Sequence, residues 1–287
     1  MKQLLIISGK GGTGKTTLLS SFAALADRPV IADCDVDASD LHLILNPTIT
    51  SKDPFYAQKA DQNMEKCSHC GLCREHCRFA AVDEKDRIDT LLCEGCGVCV
   101  EVCPTGAITM KDDIAGYSYL SRSRFGPMSH GELLPGGETS GQLVTRVKNN
   151  AQNLANKAER ELILIDGSPG MGCPVIASLA NVDLALLVTE PTLSGIHDLK
   201  RIYGVANHFG VPSQICINKW DLNEENSKSI ARYAKEKGIG LAGKVSYSKL
   251  ATKAMLAGKS VVELTNGRIA EEIASVWEAV QNKLSIA

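Results

Sequence analysis

Six short apolar runs mark the chain, at residues 3–8, 30–33, 162–166, 184–189, 214–218 and 241–245. Within each run the apolar character is nearly continuous, the pattern of parallel strands covered on both faces. Segments of helical period separate most of them, among them 15–26, 195–208 and 224–237. This alternation predicts an α/β fold built on a doubly wound, mostly parallel sheet. A last helix is predicted over 268–286, where Ile269, Ile273, Trp277, Val280 and Leu284 recur at helical spacing and Glu271, Glu272 and Glu278 fall off the stripe. A membrane-surface helix would carry lysines and arginines beside its stripe; this acidic one is expected to pack on the core.

Between about residues 51 and 111 the alternation fails and cysteines concentrate. The expected organisation is a core of residues 1–52 and 113–287 interrupted by an inserted domain over 53–112. Behind the insert, "GPMSHGELLPGGETSG" is glycine-rich and predicted as a loop, with Ser140 capping a helix that runs to about residue 158.

Composition narrows the class. Of 287 residues, 44% are hydrophobic and 22% charged, which suits a globular protein with a sizeable core, and at 5% aromatics that core rests on aliphatic side chains. A net charge of −2 offers no electrostatic reason for a nucleic-acid partner. The short basic run Arg122, Ser123, Arg124 is expected as a solvated loop. No run reaches the ~18 apolar residues of a membrane span, and residues 4–7 are too short for a secretory signal. Eleven cysteines without an export signal point to metal or redox chemistry rather than a disulfide framework, with the cytoplasm as the expected compartment.

The segment "GKGGTGKT" at 9–16 fits G-x-x-x-x-G-K-[ST] and directly follows the first apolar run. Such a loop joins a strand to a helix N-terminus, and its glycines let backbone N–H groups turn inward around phosphate. Gly9, Lys10, Gly11, Gly12, Thr13, Gly14, Lys15, Thr16 and Thr17 are therefore candidate nucleotide ligands. Lys15 would lie near the β- and γ-phosphates, and the Thr16 hydroxyl on Mg²⁺. Two aspartates in "IADCDVD", Asp33 and Asp35, alternate along an extended chain and so share one side of it. "LILIDGSPG" at 162–170 ends a second strand on Asp166.

A lysine early in the loop, Lys10, resembles the deviant loop of the MinD/Mrp class of P-loop ATPases, which includes the nitrogenase iron protein. The resemblance covers essentially the whole chain and implies a nucleotide-dependent homodimer with slow hydrolysis of ATP. Lys10 would then reach the partner subunit's nucleotide, Asp35 would position the attacking water, and Asp33 and Asp166 would hold Mg²⁺ through its water shell together with Thr16. "DGSPG" resembles the second switch segment, with the Gly170 N–H aimed at the γ-phosphate. In "INKWD" at 217–221, Asn218 and Lys219 belong to the base site, and in that class the asparagine contacts adenine; Asn-Lys-x-Asp is also the guanine-reading signature, which keeps GTP as the alternative through Asp221.

Cys67, Cys70, Cys73 and Cys77, then Cys93, Cys96, Cys99 and Cys103, repeat C-x₂-C-x₂-C-x₃-C. This is the spacing of bacterial two-cluster ferredoxins, in which the fourth cysteine serves the other cluster. One [4Fe–4S] cluster is expected on Cys67, Cys70, Cys73 and Cys103, the other on Cys93, Cys96, Cys99 and Cys77, in a small α+β ferredoxin-like insert. Zinc is the competing occupant, although zinc ribbons need only two separated pairs. Pro104 follows the second block as the pattern requires, whereas Arg78 replaces the first proline, and its charge is expected to favour reduction of the cluster holding Cys77. Cys34 and Cys216 lie in strands as small buried thiols. Cys173, seven residues beyond Asp166, has the offset of one cysteine that bridges a cluster between nitrogenase iron-protein subunits, but the chain shows no second bridging candidate.

Three functions fit these motifs. Nucleotide state would gate electron transfer from the clusters to a partner protein; or the chain would be an iron–sulfur assembly or carrier ATPase; or it would be a MinD-like positioning switch with structural or sensing clusters. Cysteines interlaced within one chain favour redox use, and the acidic last helix speaks against a stable membrane anchor.

Overall fold

The computed structural model describes residues 1–137 and 139–285. Strands β1 (Lys2–Ile7), β2 (Val30–Cys34), β3 (Thr48–Gln62), β4 (Ile108–Arg122), β5 (Pro127–Leu133), β6 (Leu162–Gly167), β7 (Leu184–Thr189), β8 (Ser213–Asn218) and β9 (Gly240–Val245) form one sheet. The helices are α1 (Lys15–Leu25), α2 (Leu41–Leu45), α3 (Leu72–His76), α4 (Val98–Glu101), α5 (Ser140–Lys157), α6 (Cys173–Leu179), α7 (Leu193–His208), α8 (Glu224–Lys237), α9 (Lys249–Leu256), α10 (Val261–Leu264) and α11 (Arg268–Leu284). The chain divides into two compact units: Met1–Lys52, Ser118–Gly131 and Gly141–Ala287 form the larger, Asp53–Tyr117 and Glu132–Ser140 the smaller.

In the larger unit the strands run β5-β2-β6-β1-β7-β8-β9, with neighbouring strands parallel. The six predicted strands are β1, β2 and β6 to β9, and their apolar runs are buried because helices cover both faces. Leu4, Ile6, Phe22, Ile31, Leu164 and Trp277 belong to one hydrophobic cluster, in which Phe22 and Trp277 approach to 5.1 Å between ring centroids. The α11 stripe packs there as expected; Ile286 lies outside the described residues.

The expected loop over 126–141 is in large part strand β5, paired with β2 in the register Ile31↔Met128 to Asp33↔His130. A Cβ on Gly131 would stand 3.0 Å from the side chains of Leu143 and Val147, so the residue lets α5 approach the strand rather than turning the chain. Residue 138 of that segment lies outside the described residues. Ser140 is the first residue of α5.

Arg124 likewise departs from the solvated-loop expectation. Its guanidinium forms a two-pronged pair with Glu263 (2.8 and 2.7 Å) and donates to the carbonyls of Ile44 and Leu45 at 3.0 Å. Burial works to raise the Glu263 carboxyl, but Arg124 and Ser260 outweigh it and hold it at about 2.

The smaller unit takes residues 53–62 of β3, 108–117 of β4, and the short helices α3 and α4. Each helix starts behind a Cys-x-x-Cys-Gly whose glycine is left-handed, Gly71 at φ 74°, ψ −4° and Gly97 at φ 76°, ψ −6°. The duplicated cysteine spacing thus has a duplicated backbone. Among the described residues, no helix is long and apolar enough to cross a membrane.

Candidate functional sites

The phosphate loop leaves β1 at Ile7 and enters α1 at Lys15, so the loop lies at the carboxyl end of the sheet, where doubly wound folds bind ligands. Gly14 is left-handed (φ 94°), and a Cβ there would stand 2.3 Å from the Asn218 amide nitrogen. That amide donates to the Thr13 carbonyl at 2.7 Å, and the Lys219 ammonium donates to the Gly12 carbonyl at 3.0 Å. Asn218 and Lys219 therefore brace the loop from behind. Lys15 is buried, at 5% exposure.

Strand pairing brings the acids together. Asp33 on β2 is the register partner of Asp166 on β6, and both are buried. Asp166 accepts from the Thr16 hydroxyl at 2.8 Å; Asp33 accepts from the Ser39 hydroxyl at 2.6 Å and the Asp35 N–H at 3.1 Å. The second oxygen of Asp166, one oxygen of Asp35 and the Thr13 hydroxyl are buried with no hydrogen-bond partner among the described residues. Burial pushes the carboxyls of Asp33 and Asp166 up, and it pushes Asp35 up to about 7 against the pull of the Lys15 charge. Buried acceptors left open beside a buried lysine fit a cation and a phosphate chain. Among the described residues no group of three or more His, Cys, Asp and Glu side chains is set to hold a metal ion, neither at these strand ends nor among the cysteines of the smaller unit. Magnesium is usually bound by one or two carboxylates plus substrate phosphates.

A cavity of about 220 Å³ adjoins the loop, lined by Gly12, Gly14, Asn218, Lys219, Ser246 and Tyr247 among others. Asp221, the residue behind the GTP alternative, has one carboxylate oxygen committed to the Tyr247 N–H at 2.7 Å. Glu272 accepts from the Ser246 N–H and hydroxyl at 2.7 and 2.6 Å. The Ser246–Tyr247 wall and its two acidic anchors escaped the sequence reading; their one signal is a position just past the carboxyl end of β9.

Two residues sit differently from their expected use. The Gly170 N–H donates to the Ser8 carbonyl at 3.0 Å, so it is not directed at a phosphate in this conformation. Lys10 is held within its own chain, by Glu190 at 2.5 Å and the Ser194 hydroxyl at 3.1 Å. Glu190, also missed from sequence, bridges Lys10 and Lys219; burial works to raise its carboxyl but the two lysines lower it. Gly9, Gly11 and Thr17 lie in or beside the loop, with Thr17 lining the cavity. Cys34 and Cys216 are buried in strands, while Cys173 is exposed at the start of α6.

In the smaller unit, the eight cysteines of the two blocks divide between two cavities. Cys67, Cys70, Cys73 and Cys103 line one; Cys77, Cys93, Cys96 and Cys99 line the other. The fourth cysteine of each block thus crosses to the partner block's cavity. Burial, then neighbouring thiols, pushes Cys99 up to about 11. At Cys103 the upward push of burial is outweighed by hydrogen bonds from Thr105 and the Ala107 N–H, and the thiol is lowered.

The whole chain resembles solved MinD structures in fold. The septum site-determining protein MinD of Pyrococcus horikoshii, complexed with Mg-ADP, superposes with a TM-score of 0.59 at 16% identity, covering 97% of this chain and 95% of that one. MinD in the MinC:MinD cell division complex of Aquifex aeolicus gives 0.59 at 16%, covering 98% and 96%. An uncharacterised protein of Methanocaldococcus jannaschii is 38% identical over 227 residues, 78% of this chain and 80% of its own length. With the sequence profile of the CobQ/CobB/MinD/ParA nucleotide binding domain matching residues 4–261, on a sheet whose carboxyl end gathers a phosphate loop and two paired acids, the chain belongs to that family of P-loop ATPases.

Proposed function

We propose that this ATPase is an iron–sulfur protein in which ATP binding and hydrolysis gate electron transfer from two [4Fe–4S] clusters to a partner protein. The observation that carries the reading is the four-and-four division of thiols, each cavity taking three cysteines from one block and one from the other. Two-cluster ferredoxins ligate in this interlaced way. Cys67, Cys70, Cys73 and Cys103 would hold one cluster and Cys77, Cys93, Cys96 and Cys99 the other. When bound, such clusters supply one-electron chemistry at low potential.

On the nucleotide side, Lys15 balances phosphate charge, and Thr16 with Asp166 and Asp33 would hold magnesium. Asp35, with a buried open oxygen and a carboxyl near neutrality, orients the attacking water and takes its proton. Lys10 would add charge at the phosphate being transferred once released from Glu190, in a dimer of two chains. ATP is favoured over GTP because Asp221 is engaged by Tyr247. Asp221→Ala is expected to raise the ATP KM roughly tenfold through the loosened cavity wall without creating a GTP preference; a gain in GTP turnover would reverse the assignment.

The gating reading is tested by measuring cluster potentials and ATPase rate together, each with and without the other site's ligand, since coupling between sites is reciprocal in binding free energy. Unchanged potentials, cluster exposure and partner binding across nucleotide states would reject it. The carrier reading keeps one point in its favour, the exposure of Cys70 and Cys96. Transfer of iron to an apo-ferredoxin faster than electron transfer would select it.

A further inference from the structure

The two cavities of the smaller unit differ in the charge built beside them. Lys59 on β3 is 6% exposed, and its ammonium donates to the carbonyl of Cys93 at 2.5 Å and to that of Gly136 at 3.3 Å. Asp86 is 5% exposed and lines the other cavity with Cys67, Cys70, Cys73 and Cys103. One of its carboxylate oxygens is buried without a hydrogen bond; Arg74 and His69 come only to 3.8 and 3.9 Å. The Gln62 amide holds the Asp86 backbone carbonyl at 2.8 Å, which keeps the residue in that wall.

Resting on the two-cluster reading, we propose that Lys59 and Asp86 set the clusters at different reduction potentials, the one on Cys77, Cys93, Cys96 and Cys99 being reduced first. Adding an electron adds negative charge, which a buried ammonium favours and a buried carboxylate opposes. Four influences act the other way. Glu94 lines the cavity of Cys77, Cys93, Cys96 and Cys99, but it is exposed and screened by solvent. The Gln62 amide reaches the Cys67 sulfur at 3.6 Å and the Ala107 N–H reaches the Cys103 sulfur at 3.3 Å, and donors to sulfur raise a potential. Arg74 partly offsets Asp86, but its side chain is 45% exposed and screened by solvent. These are dipoles and two screened surface charges, Arg74 and Glu94, set against the buried Lys59 ammonium and Asp86 carboxylate, so the sign of the difference follows Lys59 and Asp86. Both act as tuning residues, through the environment of the ligands rather than by ligation.

The test uses the full-length protein purified anaerobically and reconstituted with ferrous iron and sulfide. Iron is counted in every variant, and a dithionite titration is followed by electron paramagnetic resonance. The expected result is about eight irons per chain and two separate one-electron waves. Lys59→Met should lower only the upper wave, by at least tenfold in the reduction equilibrium, about 59 mV for one electron. Lys59→Arg should restore it, which a purely structural role for the side-chain shape would not do. Asp86→Asn should raise only the lower wave, and it decides the matter by itself should Lys59→Met fail to accumulate. A single wave in wild type, or both variants moving the same wave, overturns the proposal while eight irons leave the two-cluster reading standing. A zinc-loaded or iron-free chain removes that reading, and the charge assignment falls with it.

Discussion

The larger unit fills its interior with Leu, Ile, Val and Phe drawn from strands and helices far apart in sequence, whereas the buried cluster of the smaller unit is only Ala60, Cys73, Ala81, Val82, Cys93 and Ile108, with Ile88, Val100, Met110, Cys77, Cys99 and Cys103 packed against it. Apolar burial at roughly 25 cal/mol per Å² supports the first kind of interior. A cluster this small yields far less, and compact units of this size commonly need a metal or cross-link as a staple. The contrast teaches that aliphatic burial supplies the cohesion of the larger unit and much less of that of the smaller. On the two-cluster proposal it also separates their failures: stripping the clusters should unfold the smaller unit and spare the larger.

The largest expected effect tests that separation. Chelating iron, or replacing Cys73 with Ala, should remove amide-exchange protection from β3 and β4 residues 55–62 and 108–117 while β6 and β7 stay protected; uniform loss across both units would break the comparison. Next, Lys15→Ala should weaken ATP binding by ~100-fold or more, read by calorimetry, with iron content unchanged. A fall in iron would show that the units are not independent.

A smaller effect concerns pH. Asp33, Asp35 and Asp166 have folded carboxyls raised above their ordinary values, Asp35 to about 7. The nucleotide-free folded chain therefore holds protons that the unfolded chain has released, and stability falls as pH rises from about 4 through about 7. Denaturant midpoints in EDTA should decline over that window, and Asp35→Asn should flatten the decline. Magnesium and nucleotide should reverse it by favouring the ionised carboxylates. Glu263 acts oppositely but outside this window, its stabilisation being lost only as pH falls below about 4.5 toward 2. The smallest effect is expected at Arg78, which is exposed beside Cys77. Arg78→Ala should lower the same wave as Lys59→Met but by less, because water and salt screen its charge; an equal or larger shift would make the exposed charge the dominant one.

Much of the core was legible in advance because a buried parallel strand leaves a local mark, a run of aliphatics between turn residues. The phosphate loop and cysteine blocks were legible for a similar reason, since their chemistry requires particular residues a few positions apart. β5 was not, because Gly131 reads as a turn until α5 is seen against it. β3 and β4 were missed because their charged outer positions hide the alternation.

By itself, then, the sequence determined the chemistry on offer: a loop that cradles phosphate, acids at strand ends, and eight thiols at ferredoxin spacing. Only the tertiary structure decided how those groups are used. It paired Asp33 with Asp166, engaged Asp221 through Tyr247, placed Lys10 on Glu190, set Lys59 on the Cys93 carbonyl and put Asp86 in the wall of the other cysteine cavity. The physical reason is range. A motif fixes atoms joined by a few bonds, while the charge, burial and hydrogen bonds that tune them come from segments brought close by packing.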